Sequence, residues 1–411
     1  MSLAPRSLGL AQQTDLCVKC GLCLPHCPTY LASRNENESP RGRLALIQGW
    51  AEGALQAGPA LQAHLDHCLL CRACESACPA QVPYGEIMDG FRSQLTASER
   101  QNRPRRIVPS LICRLLSATK PLWLRRLLGR LANGGLVQRG ARLLGWPELF
   151  LGIPDPKGQS LPDFGRHPAP KRPAGSAPEV QLFIGCSAEF FDTETVAASL
   201  AVLRHRGYQV DIPRGQGCCG ALDQHAGDAP RARSRMQQNQ SVFNGPLDRP
   251  VLGFSSGCGA QLREYPEQPG SLRHRFEDIC EFLAKDAATR GRPLTPLTAT
   301  AVLHTPCSLR HGLRQGQGAG KLLADIPGLR VLSLNSSHRC CGAAGRYLLD
   351  FPEAASGFLK PLIDQVESLA PHYLLTSNPG CAAHLRKGLK SRGLETIEVL
   401  HPISLLARQI Q

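Results

Sequence analysis

CVKCGLCLPHCP, residues 17–28, spaces Cys17, Cys20, Cys23 and Cys27 as C-x2-C-x2-C-x3-C and closes the run with Pro28. After forty intervening residues the spacing recurs in CLLCRACESACP, residues 68–79, as Cys68, Cys71, Cys74 and Cys78 followed by Pro79. Three thiolates at i, i+3 and i+6 on a tight loop reach three irons of one cubane. The fourth, set apart and followed by a proline that turns the chain away, ligates the other cubane in two-cluster proteins. The pattern therefore assigns one [4Fe–4S] cluster to Cys17, Cys20, Cys23 and Cys78, and a second to Cys68, Cys71, Cys74 and Cys27. Structural zinc is the competing reading, but zinc sites usually show separated C-x2-C pairs or Cys/His mixtures. Two complete four-cysteine runs, each with its proline, are the more specific pattern. His26 and His67 stand beside ligands and read as solvated neighbours.

The forty residues between the runs exceed what a compact two-cluster fold needs. Residues 43–57 read as a helix, with Ser39-Pro40 as its start signal, so residues 1–98 are expected to form a helical, ferredoxin-like domain. The chain has 411 residues, enough for two or three domains. Its 18 cysteines would suggest disulfides in a secreted protein, so compartment decides their chemistry. The first fifteen residues show no continuous apolar run of a secretory signal, and no stretch approaches 18 uninterrupted apolar residues. The expected compartment is the reducing cytoplasm, where this many cysteines serve as metal ligands.

The formal net charge is +14, and it is concentrated: residues 100–147 carry eleven Lys or Arg and no Asp or Glu. Within them Leu111, Leu115, Leu116, Leu122, Leu127, Leu128 and Leu131 recur at helical spacing, interleaved with Arg114, Arg125, Arg126 and Arg130. The preferred reading packs the leucines on a neighbouring domain. The alternative lays a basic amphipathic helix on the inner face of the cytoplasmic membrane as a peripheral contact. Residues 152–178 hold seven prolines and read as a linker, so 99–178 is taken as a basic helical connector. No helix-turn-helix or RNP-like signal accompanies the charge, so no nucleic-acid partner is expected.

The rest of the chain is duplicated. Cys186, Cys218-Cys219-Gly220 and Cys258 return as Cys307, Cys340-Cys341-Gly342 and Cys381, at offsets of 121, 122 and 123 residues. Strand-like segments precede each cysteine and helical stretches, such as residues 193–206 and 353–368, lie between them. Strands alternating with helices imply parallel sheets with the cysteines at strand C-terminal ends. Two pseudo-repeated α/β lobes follow, residues 179–290 and 291–411, whose cysteine sets are expected to face one cleft. The fold class is thus α+β and multidomain. Gly215, Gly217 and Gly220 spell G-x-G-x-x-G, but the second copy keeps only Cys-Cys-Gly, so the cysteine pair is the duplicated feature. GQGAGK ending at Lys321 lacks a following Ser or Thr and is no phosphate loop. Cys113 and Cys280 fall outside every pattern and read as packing residues.

Together these motifs resemble the iron–sulfur subunits of glycolate oxidase, also called glycolate dehydrogenase. The likeness covers nearly the whole chain. It rests on the two CxxCxxCxxxCP runs, SPRGRL at 39–44, the two CCG elements, HTPC at 304–307 and VLHPISLL at 399–406. It implies an oxidoreductase subunit that takes electrons from a partner flavoprotein (FAD) subunit oxidising glycolate to glyoxylate and passes them towards a quinone. No catalytic residue and no flavin or nicotinamide site are expected in this chain. Iron–sulfur subunits of lactate or glycerol-3-phosphate dehydrogenases, and a CCG-type disulfide or quinone reductase, are the alternatives. The CCG motif of the heterodisulfide reductase relatives ends in C-x-x-C, yet here Ser255 and Asn378 replace its first cysteine. Each copy therefore offers four thiols: Cys186, Cys218, Cys219 and Cys258, or Cys307, Cys340, Cys341 and Cys381. Four suffice for a third and a fourth iron–sulfur cluster or for zinc, and buried thiols without a metal are the remaining reading.

Overall fold

The computed structural model describes residues 9–95, 179–186, 192–243, 245, 249–286, 293–334 and 340–410. The basic connector, with Cys113, the leucine repeat and the proline-rich linker, lies outside the described residues.

The first domain is helical, as its sequence predicts. Its helices are α1 (Leu10–Thr14), α2 (Pro28–Ser33), α3 (Pro40–Ala51), α4 (Pro59–Asp66), α5 (Ala73–Ser76) and α6 (Tyr84–Gln94). Proline opens α2, α3 and α4, where its missing N–H is not needed. Ser39 caps α3, its hydroxyl accepting from the Gly42 N–H at 2.9 Å. That cap starts α3 three residues before the expected 43, and Gly53, at φ 77°, ends it before the expected 57. Ile47, Leu65, Ile87, Met88 and Phe91 are fully buried between these helices.

The duplicated half forms two four-stranded parallel sheets of identical order. In the first, β1 (Glu179–Phe183), β2 (Gln209–Asp211), β3 (Val251–Gly253) and β4 (Phe276–Asp278) lie in the order β2-β1-β3-β4. In the second, β5 (Ala299–His304), β6 (Leu329–Ser333), β7 (Tyr373–Thr376) and β8 (Glu398–Leu400) lie in the order β6-β5-β7-β8. Register pairs Leu182 with Leu252 in one lobe and Leu303 with Leu375 in the other. In each lobe the strand order reverses beside the first strand, where open α/β sheets leave a crevice at the strand C-termini.

Crossover helices cover the sheets: α7 (Thr193–His205), α8 (Ala221–His225), α9 (Ala229–Val242), α10 (Ser256–Leu262) and α11 (Leu272–Arg275) in the first lobe. After β4 comes α12 (Ile279–Lys285); the second lobe adds α13 (Gly318–Leu323), α14 (Tyr347–Asp350), α15 (Pro352–Leu369), α16 (Pro379–Ser391) and α17 (Pro402–Ala407). The last helix of each lobe packs on the other lobe: α12 against α13, and α17 against α7. One buried cluster consequently runs through both, including Leu182, Leu203, Leu283, Leu303, Leu322 and Leu405. Thr195 and Ser404 hydroxyls meet at 3.2 Å inside that seam.

The helical domain rests on both lobes. On the first, the Arg92 guanidinium donates to the His225 carbonyl at 3.1 Å, Asp89 meets the His225 ring at 3.2 Å, and Arg72 pairs with Glu264. On the second, Leu69 and Cys71 pack among Cys340, Tyr347 and Phe351, and Ser76 meets His311 at 2.9 Å. Among the described residues, no helix is long and apolar enough to cross a membrane.

Candidate functional site

Both N-terminal cysteine runs adopt the same backbone. Lys19 (φ 55°) and Gly21 (φ 85°) flank Cys20, and Leu70 (φ 49°) and Arg72 (φ 61°) flank Cys71. A left-handed residue on each side of the middle cysteine curls the loop so that its thiols face inward. Three of these four positions are not glycine, so the surroundings hold the strain. Arg41 does so in the first loop, donating to the Lys19 carbonyl at 3.0 Å while paired with Glu36 at 2.6 Å. In the second, Arg72 is fixed by Glu75 and Glu264.

Cys27, Cys68, Cys71 and Cys74 line one pocket, together with Leu69, Arg43 and Tyr84. The fourth cysteine of the first run thus lines the same pocket as the first three of the second. The Leu70 N–H donates to the Cys68 sulfur at 3.4 Å, and the Tyr84 hydroxyl meets it at 3.5 Å. Burial pushes the Cys71 and Cys74 thiols well up. Such thiols stay protonated until a metal displaces the proton. In the first run burial likewise pushes Cys23 up to about 11, with Cys17 and Cys27 close enough to add to the shift. Cys20 is exposed.

Beside the pocket lies a charged network that sequence reasoning missed. Arg43, 1% exposed, donates to Glu38 at 2.5 Å, to the Thr29 hydroxyl at 2.9 Å and to the His64 carbonyl at 2.8 Å. Glu38 also meets the rings of His64 at 2.7 Å and His67 at 3.2 Å. Burial would raise the Glu38 carboxyl, but the hydrogen bonds from His67 and His64 and the Arg43 charge outweigh it and hold it at about 2. The expectation of a merely solvated His67 is therefore corrected: its ring also stands edge-on to Phe351 of the second lobe, centroids 4.6 Å apart. The signal available was SPRGRL itself, whose second arginine sits one turn past the cap on the inward face of α3.

Cys186, Cys258, Cys307 and Cys381 lie three to five residues beyond the C-termini of β1, β3, β5 and β7, and the two Cys-Cys pairs lie in the loops that follow β2 and β6. In the first lobe Cys218 hydrogen-bonds to Cys186 and Cys219, and Cys219 to Cys258. In the second, the Cys341 and Cys381 sulfurs are 3.0 Å apart and those of Cys307 and Cys340 3.9 Å apart. The glycine of each Cys-Cys-Gly has a double reason. Gly220 (φ 89°) and Gly342 (φ 85°) are left-handed, and their N–H groups donate to the Cys218 and Cys340 sulfurs at 3.5 and 3.4 Å. Beneath them pass the backbones of Ala232 and Ala355; a Cβ on Gly342 would lie 2.5 Å from the Ala355 carbonyl oxygen. Gly342→Ala should therefore destabilise the protein by roughly 2 kcal/mol or more, from left-handed strain plus overpacking. Thermal unfolding measures this, and an unchanged melting temperature would refute the account. Gly215 and Gly217 belong to the same loop, where the Gly217 N–H donates to the Asn239 side chain at 2.8 Å.

Ser255 and Asn378 act through hydrogen bonds. Ser255 bonds to Cys258, and the Asn378 carboxamide oxygen caps α16, accepting from Gly380 and Cys381 at 2.9 and 3.2 Å. The shells of the two sets have diverged. Around the first, Arg235 pairs with Asp223 at 2.9 Å, and Asn239 and Tyr265 donate to the Cys218 and Cys219 carbonyls, each at 2.9 Å. Counting from the alanines beneath the two glycines, Phe358 and Leu362 occupy the positions of Arg235 and Asn239. Residues beside the two sets meet: the Ser256 hydroxyl, two residues before Cys258, meets that of Ser308, next to Cys307, at 2.8 Å, and the Asn378 amide donates to Ser256 at 3.4 Å. The second set turns towards the helical domain, where Cys307 and Cys340 are near enough to Cys71 for their charges to interact. The domain packs its Cys71 loop on that lobe through Tyr347 and Phe351. Cys280 is 2% exposed in the shared core, as a packing residue should be.

The donor sets fit iron–sulfur ligation in their chemistry: all are thiols, and backbone N–H groups of Leu70, Gly220 and Gly342 are directed at sulfur. The 4Fe-4S dicluster domain family matches residues 13–82, and the cysteine-rich domain family, CCG, matches residues 180–263 and 301–386. The chain is 29% identical to the probable glycolate oxidase iron-sulfur subunit of Bacillus subtilis, covering 95% of this chain and 92% of the relative. It is also 29% identical to the glycolate oxidase iron-sulfur subunit of Escherichia coli, over 93% of this chain and 92% of that one. Lactate utilization protein A of Geobacillus thermodenitrificans is 26% identical over 56% of this chain and 98% of its own. The chain thus carries a 4Fe–4S dicluster domain followed by two cysteine-rich CCG domains, and along nearly its whole length it is similar to glycolate oxidase iron–sulfur subunits.

Proposed function

We propose that this chain is the iron–sulfur electron-transfer subunit of a flavin-dependent glycolate (2-hydroxy acid) dehydrogenase complex, passing electrons from a flavoprotein subunit towards a quinone. Clusters bound to its thiols would carry one electron each, and a reduced flavin can hand on its two electrons singly to such carriers. In this reading Cys17, Cys20, Cys23 and Cys78 hold one [4Fe–4S] cluster and Cys68, Cys71, Cys74 and Cys27 the other. The sets Cys186, Cys218, Cys219, Cys258 and Cys307, Cys340, Cys341, Cys381 are the third and fourth sites.

The observation that carries the reading is the approach of Cys71 to Cys307 and Cys340. It joins the dicluster domain to the second CCG lobe through side chains that would ligate metal on both sides. The chain's own residues do the rest. Arg43 places a buried positive charge beside sulfurs that become anionic on ligation, Leu69 and Tyr347 exclude water between the domains, and Arg72 locks the loop to Glu264. The glycolate assignment follows the two relatives matched over most of the chain. Lactate utilization protein A favours lactate as the second reading.

Metal and sulfide analysis of the anaerobically purified chain, with EPR after dithionite reduction, tests the proposal. We expect about twelve to sixteen irons, roughly four per cluster, and no stoichiometric zinc. About eight irons would confine ligation to the N-terminal runs, and fewer than four would end the electron-transfer reading.

A further inference from the structure

All four large apolar side chains exposed among the described residues belong to the dicluster domain: Val18, Leu22, Leu31 and Leu55. Two of them flank Cys20, Val18 at 71% and Leu22 at 57% exposure, and Cys20 itself is exposed. The loop is not loose. Lys19 and Gly21 are left-handed, and Arg41, anchored by Glu36, grips the Lys19 carbonyl. A strained, braced loop that offers two bare hydrophobic side chains has the character of a preorganised contact. Its charge is positive: Lys19 is exposed within the loop, residues 16–35 hold no Asp or Glu, and the flanking Glu36 is paired with Arg41. The other thiol pocket is walled off by Leu69, Tyr347 and Phe351 of the interdomain packing, so the Cys20 loop is the face a separate protein can approach.

We infer that the loop of residues 18–22 is the docking surface for the electron-donating flavoprotein, which meets it with an apolar patch rimmed by Asp and Glu. This rests on the proposed function and adds the place of contact. Redox encounters of this kind are small, so two central hydrophobic residues carry much of the energy, and the positive charge of the loop steers association.

The test mixes the cluster-loaded full chain with a flavoprotein subunit of glycolate oxidase and glycolate, and follows loss of the visible cluster absorbance. The double variant Val18→Asp/Leu22→Asp should be reduced at least about tenfold more slowly and bind about tenfold more weakly by calorimetry, the effect of losing one hot-spot contact. Its iron content and its reduction by dithionite should match wild type. Leu55→Asp, outside the loop, should change neither rate nor affinity. Lys19→Glu, which leaves the hydrophobic pair intact, should abolish most of the ionic-strength dependence of the wild-type rate. Wild-type speed in the double variant, or equal slowing by Leu55→Asp, would overturn the docking surface while leaving the function standing. Failure of the wild-type chain to be reduced at all would sink the function itself. If the double variant loses iron, the Lys19→Glu salt profile decides, and an unchanged profile refutes the inference.

Discussion

Serine in place of Cys71 is expected to remove one [4Fe–4S] signal and about four irons per chain, and to stop glycolate-driven quinone reduction while the flavoprotein keeps its flavin. Cys71 is buried in the pocket it shares with Cys27, Cys68 and Cys74. A serine there offers a hard, weakly acidic oxygen in a soft-ligand site that was already costly to ionise. The loss should exceed that from an equivalent change at Cys20. Cys20 belongs to an exposed loop where water or a neighbouring group can substitute, whereas Cys71 also packs with Cys307 and Cys340. Cys280→Ser supplies the control, since that thiol is buried but stands in the shared core away from every set. It should retain full iron and full turnover. Surviving quinone turnover in the Cys71 variant, with its signal gone, would place the electron path elsewhere.

The sequence made the local chemistry readable and left the long-range placement unreadable, for a physical reason. The C-x2-C-x2-C-x3-C-P run encodes a loop, and its backbone geometry repeats between Cys20 and Cys71 although different neighbours brace the two copies. The duplicated strands could be aligned because the cysteines recur after them at nearly constant offsets, whatever the helices between them do. What spacing does not encode is how one completed unit meets another. Nothing near Cys307 announces Cys71 as its neighbour, and nothing in α17 announces that it packs on α7 in the other lobe. The reading of His67 as merely solvated failed on that ground, since its partner Phe351 comes from the second lobe. Ser255 and Asn378 were recognised as departures from a ligand pattern, but their roles as hydrogen-bonding groups depend on helix starts that only the fold reveals. Arg43 was hidden differently. An arginine one turn into a helix reads as surface, and only the closed packing of α3 against α4 makes it the most enclosed charge in the domain.

That enclosure makes Arg43→Met the second large effect, a loss of about 3–5 kcal/mol of stability, the usual consequence of removing one partner from a buried pair. Methionine fills most of the volume, so the loss reports the stranded Glu38 carboxylate and the released Thr29 hydroxyl and His64 carbonyl, each of which loses its donor. Glu38→Gln should cost less, about 1–3 kcal/mol, because an amide still bonds to Arg43 and the histidines. The double variant should recover part of the Arg43 loss, since neither charge is then left alone. The pH dependence has a definite sign. The Glu38 carboxyl lies at about 2 in the folded chain against its usual 4.5, so its stabilisation is complete above about 4.5 and disappears as pH falls through 2. Wild type should therefore weaken across that window more steeply than Glu38→Gln, which has no carboxyl there to protonate. In Arg43→Met the carboxyl loses a charge that held it down, and the weakening should begin at higher pH than in wild type. Chemical unfolding of the three variants from pH 7 to pH 3 measures all of this. An Arg43→Met protein within 1 kcal/mol of wild type at pH 7 would mean that the ion pair stabilises no more than a methionine in its place. Arg43 would then matter only for the charge it sets beside Cys27 and Cys68.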